Sequence, residues 1–196
     1  MINTVETQET CLANSLNDLK KLQDEVKQQY GALSLAQLNW KPNAKSWSIA
    51  EILQHLLLLY KDYQVQITQI LQNDRPPQTE GHTPHKRTFF GKLMYWLVSP
   101  KATNKIPAPK LVQPTPNSHF DLQIYHQYLT VLDQVIAAGE QIAKRHIDLN
   151  KTKVSSPVSG VIRFNLGEYF RIEAYHHRRH FQQGQRVMKQ PEFPKA

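Results

Sequence analysis

A single cysteine, Cys11, and only seven glycines stand in this chain of 196 residues. One cysteine excludes an internal disulfide and suits a reducing compartment. So few glycines disfavour a mainly β protein, which turns often, whereas stretches rich in Leu, Gln, Lys and Glu favour helix. Long apolar runs are missing as well. The longest, LMYWLV at 93–98, falls far short of the ~20 residues a membrane span needs. The opening residues, MINTVETQET, lack the basic-then-apolar pattern of a signal peptide. A soluble, cytoplasmic protein without membrane contact is the expectation. A chain of this length fits one domain over 1–196 and buries roughly 70% of its unfolded surface.

Charge is present in excess but unevenly spread. The net charge is +8. Residues 74–110 carry seven basic against two acidic side chains, and 171–196 carry six against two, while the rest of the chain is close to balance. Such patches attract phosphate or other anions, or simply keep a surface solvated. Nucleic-acid binding is the weaker reading, because the basic residues lack the interleaved aromatics of a single-strand groove and no helix-turn-helix or RNA signature is present.

Four long segments have helical periodicity. The first spans about Thr10 to Gln29, with Leu12, Leu16, Leu19, Leu22 and Val26 recurring every three or four residues. SLAQ at 34–37 has the spacing of a short capping box. The second helix starts at Ser48, boxed by Glu51, and runs to about Asn73. The third starts near Ser118, boxed by Asp121, and reaches about Ala143. Asn165, with Glu168 as its partner, caps the fourth, which reaches about Lys189. Between the second and third lies 74–117, which holds most of the twelve prolines. Within it, TFFGKLMYWLVS has the makings of a short apolar helix and PAPKLVQPTP should be extended. SSPVSG at 155–160 reads as loop. An all-α four-helix bundle with a long proline-rich crossover is the economical fold.

Histidines disturb this apolar pattern in two places. His55 follows Ile52 and precedes Leu59 on the buried stripe of the second helix. On the fourth helix, Glu173 together with His176, His177 and His180 of HHRRHFQQ (176–183) occupies the face a structural helix would fill with Leu, Ile and Val. Burying so many polar groups is costly unless each is hydrogen-bonded or coordinated. Residues at i, i+4 stack one turn apart, so His176 and His180 can reach one cation. The i, i+3 pair His177 and His180 can as well, and local sequence does not separate the two. His119 and His126 sit among polar residues and are expected to be exposed.

The chain resembles the DinB/YfiT-like superfamily of metal-binding four-helix bundles in two motifs. NWKPNAKSWSIAEILQHL at 39–56 is similar to the W-S-(I)-x-E-(I/V)-(L)-x-H-(L) signature around that family's first ligand, and HHRRHFQQ fits H-x-x-x-H-x-x-Q through His176, His180 and Gln183. The resemblance implies His55, His176 and His180 as ligands of a divalent metal, with Zn or Ni foremost and Fe or Mn as alternatives. It leaves His177, Arg178 and Arg179 as neighbours or surface residues, and implies that Trp47 packs the start of the second helix. Glu173 is then either an acceptor orienting an imidazole or the partner of a surface cation such as Arg171.

Three imidazoles leave an open coordination position, which suits catalysis. Some members of the superfamily resemble S-transferases and isomerases that use bacillithiol, mycothiol or glutathione. The resemblance therefore implies a metal-dependent enzyme activating a thiol or water, either a thiol S-transferase or a hydrolase. Arg171 and Arg178 would receive the carboxylates of a low-molecular-weight thiol. The alternative is a non-catalytic module in which a closed metal shell stabilises the fold or binds a ligand. Cys11 is expected to be a small core residue. The apolar LMYWLV run either covers the helices or meets its copy in a homodimer.

Overall fold

The computed structural model describes residues 6–100, 107–115 and 118–195. Part of the proline-rich connection, at 101–106 and 116–117, therefore lies outside the described residues, as do the first five residues.

The protein is mostly helical: α1 Gln8–Tyr30, α2 Leu35–Asn39, α3 Ile49–Gln72, α4 Phe89–Val98, α5 Gln123–Lys144 and α6 Leu166–Met188. The expectation of a purely α protein is corrected by one antiparallel hairpin, β1 Lys153–Ser156 and β2 Ser159–Asn165, formed where SSPVSG read as loop. Val154 pairs with Phe164 in it, and both are fully buried, so the hairpin is anchored by its inner face. No helix among the described residues is long and apolar enough to cross a membrane.

Helix starts follow the polar punctuation of the sequence. The Thr7, Ser48 and Asn165 side chains accept from the backbone N–H three residues on, and the Ser34–Gln37, Ser48–Glu51 and Asn165–Glu168 capping boxes are complete. The Ser118–Asp121 box does not form. Asp121 Oδ1 instead accepts from Gln123 N–H two residues on, and α5 begins only at Gln123 without a side-chain cap. Glu168 joins two helix starts, since its carboxylate also accepts from the Thr88 N–H and hydroxyl at the cap of α4. A Cβ on Gly91 would lie 2.0 Å from that carboxylate, so only glycine permits this approach.

The four long helices share one core. α1 packs on α5 and α6, and α3 packs on α5 and α6. Leu19, Leu53, Leu132 and Phe170, one from each helix, are all within 1% of complete burial. α4 lies across α6 and β2, but Phe89 and Trp96 remain 76% and 55% exposed, so it shields the core with only part of its surface. Among the described residues 107–115, one 3₁₀ turn at Lys110–Val112 docks on α3 through buried Val112. That turn sits beside His55.

Candidate metal centre

α3 and α6 bring His55, His176 and His180 together. The ring centroids of His55 lie 5.3 Å from His176 and 4.7 Å from His180, and those of His176 and His180 are 4.6 Å apart. One ring nitrogen from each lies within 4.8 Å of the others. His55 and His180 are buried and His176 is partly so.

The hydrogen bonds around the rings fix which nitrogens face the centre. His55 Nδ1–H donates to the Val112 carbonyl at 2.5 Å, at the 3₁₀ turn. His180 Nδ1–H donates to Gln183 Oε1 at 2.9 Å. Both neutral rings therefore carry a lone pair on Nε2. His180 Nε2 stands 3.0 Å from His176 Nε2, a separation reconciled by a proton or by a cation taken between them. Burial is the largest influence on all three rings and lowers their pKa values, with His176 and His180 held well below the ordinary 6.5 and further lowered by neighbouring histidines. Neutral imidazoles, two of them with their outer nitrogens oriented, suit a borderline divalent cation. Trp47 covers the group, its ring 5.2 Å from His55 and nearly parallel to His180 at 6.3 Å.

His177 does not share this centre. It is 1% exposed and points into the core. Its Nε2–H donates to Glu173 at 3.2 Å, and its Nδ1 accepts from the Tyr128 hydroxyl at 2.9 Å. The i, i+3 alternative is therefore not the arrangement adopted. Glu173 serves His177 rather than a surface cation or any of the three converging rings. His119 and His126 are exposed, as expected. Arg171 and Arg178, expected to receive a substrate's carboxylates, are here engaged within the chain: Arg171 pairs with Glu6, and Arg178 with Glu25 of α1 through two bonds of 2.6 and 2.9 Å. Position 178 lies two residues from both 176 and 180, on the opposite side of the helix.

The Val112 tether was invisible in the sequence, because a backbone carbonyl carries no residue signature. A cavity of about 370 Å³ lies apart from the histidines, between α1, α4 and α6, where Glu6, Asp18, Lys21, Tyr95 and Arg171 line it.

No curated protein and no solved structure matches the chain significantly. The family model of the DinB superfamily matches residues 18–183, a span that holds all three converging histidines. The chain belongs to the DinB superfamily.

Proposed function

We propose that His55, His176 and His180 hold one divalent metal ion and that the protein is a metal-dependent enzyme, a thiol S-transferase or a hydrolase, built as a single four-helix-bundle domain with the proline-rich segment as its crossover. The observation that carries this reading is the group of three neutral imidazoles from two helices, with no fourth His, Cys, Asp or Glu joining it among the described residues. A three-ligand group leaves a position for an incoming molecule, which separates a catalytic from a closed structural site. When bound, the ion supplies Lewis acidity that lowers the pKa of a thiol or water at that position.

The chain's own residues prepare the position. The Val112 carbonyl and Gln183 orient His55 and His180. Burial keeps the rings unprotonated near neutrality. Trp47 excludes water from one side of the rings. Zn or Ni suits the imidazole set, and Fe or Mn is the alternative. With Arg171 and Arg178 tied to carboxylates, a charged thiol would find its counter-charges elsewhere.

The non-catalytic reading draws its support from the same three ligands and would need a fourth to close the shell; His126 is exposed and Glu173 is committed to His177. Nucleic-acid binding is weakened because Arg171 and Arg178, in the basic last helix, are neutralised internally. The test is conjugation of bacillithiol, mycothiol or glutathione to an activated aryl halide by Zn- or Ni-loaded protein, alongside ester hydrolysis. A rate lost on chelation and in His55→Ala supports the enzyme. Metal-loaded protein that is inert in both assays supports the non-catalytic module.

A further inference from the structure

We propose that Glu6, Cys11 and His85 form a second cation site, fitted to a borderline divalent metal such as Zn²⁺ and separate from the three histidines. The residues come from three segments: the stretch before α1, the first turn of α1, and the loop leading to α4. One ligand atom from each lies within 4.8 Å of the others. The Thr7–Pro84 bridge and the bond from His85 N–H to the Glu6 carbonyl, 2.8 Å, hold two of the segments side by side. Thiolate, imidazole and carboxylate together form a donor set characteristic of zinc.

The ring of His85 points to a ligand. Its Nε2–H donates to Asn165 Oδ1 at 3.1 Å. The orientation of that amide is fixed, because Asn165 Nδ2 donates to the Lys86 carbonyl while Oδ1 accepts from Glu168 N–H. Nδ1 is therefore the lone-pair nitrogen. It is buried and meets no hydrogen-bond partner among the described residues, in a residue only 9% exposed. An imidazole whose outer nitrogen is anchored to an amide oxygen, and whose other nitrogen offers an unused lone pair, has the outer-contact pattern of a metal-ligating histidine.

Arg171 is the nearest cation. It binds the Glu6 carboxylate and lies 3.6 Å from Cys11 Sγ. A divalent ion would share two anions with it, which leaves one positive charge over, offset in part by the Glu168 carboxylate that also acts on Cys11. Each Glu6 oxygen retains a further lone pair for a second contact. The Cys11 thiol is held up at about 11, chiefly by burial, so it carries its proton until the metal arrives. Binding forms the sulfur–metal bond as the S–H bond breaks, and the proton leaves to solvent. Glu6 and Arg171 also line the 370 Å³ cavity, which provides a path from solvent. His85 contacts residue 165 at the start of α6, whereas His176 lies eleven residues further on, roughly 16 Å along the helix.

The test is titration of the full chain with Co²⁺, followed by near-ultraviolet absorption, where a cysteine thiolate bound to cobalt gives a charge-transfer band. The band is expected in the unaltered protein and in the His55→Ala, His176→Ala, His180→Ala triple variant. It should vanish in Cys11→Ser and need at least about tenfold more cobalt in His85→Gln. Because His85 is buried, Glu6→Gln at the more exposed rim gives a second reading of the same weakening should His85→Gln not fold. Absence of the band in folded, unaltered protein overturns the site. So does a band whose midpoint is unmoved in the folded ligand variants.

Discussion

Tyr128, His177 and Glu173 form a chain of hydrogen bonds inside an otherwise apolar core, and its members are all at least 97% buried. Tyr128→Phe keeps the ring's shape but leaves His177 Nδ1 without its donor. The expected cost is about 1–3 kcal/mol, read from the urea midpoint, with metal content unchanged because His177 faces away from the three converging rings. Gln183→Ala acts in the opposite sense. It removes the oxygen that orients His180, so metal affinity should fall by about 10–100-fold in a competition titration while stability changes little. At this scale the sequence was informative about the anomaly and silent about its resolution. His55 among leucines and the HHRRHFQQ run marked the histidines, but choosing His176 over His177 required the family likeness. Val112 lies far from His55 in the chain, and His85 far from Glu6 and Cys11, so no local pattern connects them.

Helix caps carry much of the architecture. Asn165 caps α6, takes the His85 ring and donates to the Lys86 carbonyl, so it fastens the loop before α4 to the helix that bears His176 and His180. Asn165→Ala should cost about 2 kcal/mol, the upper part of the range for a cap, because more than the cap bond is lost. A drop in thermal midpoint checks this. Gly91→Ala, whose Cβ would meet the Glu168 carboxylate, should lower the midpoint further by parting α4 from the start of α6. The boxes at Ser34, Ser48 and Asn165 were readable because a side-chain oxygen and its partner three residues on satisfy backbone donors that every helix start leaves open. Ser118–Asp121 has the same spacing but lost to a tighter local bond from Asp121 to Gln123 N–H. The hairpin is hard to read from the sequence because serines interrupt its apolar alternation and few apolar side chains, Val154 and Phe164 foremost, pin it to the core.

On the scale of the whole molecule, three clustered rings on two helices, two buried and one partly so, tie stability to pH. Burial lowers the pKa values of His55, His176 and His180, so below the ordinary value of 6.5 the unfolded chain binds protons that the folded chain does not. Stability therefore rises with pH in this range: the metal-free protein should be fully stable above about pH 6.5 and lose stability progressively below it. Urea midpoints across pH 5 to 8 measure this, and His176→Ala should flatten the slope. The helical order was legible throughout, because apolar spacing runs along each long segment and capping boxes mark the starts of α3 and α6. The course of the proline-rich connection was not, since prolines exclude helix without fixing where an extended chain docks.

The central claim, that three imidazoles from α3 and α6 hold one ion, is tested most directly by elemental analysis. The protein and its His55→Ala, His176→Ala, His180→Ala variant would be prepared identically, with folding checked by circular dichroism. The variant should retain one equivalent of divalent metal less per chain than its parent. Equal metal content in the two folded proteins would contradict the assignment.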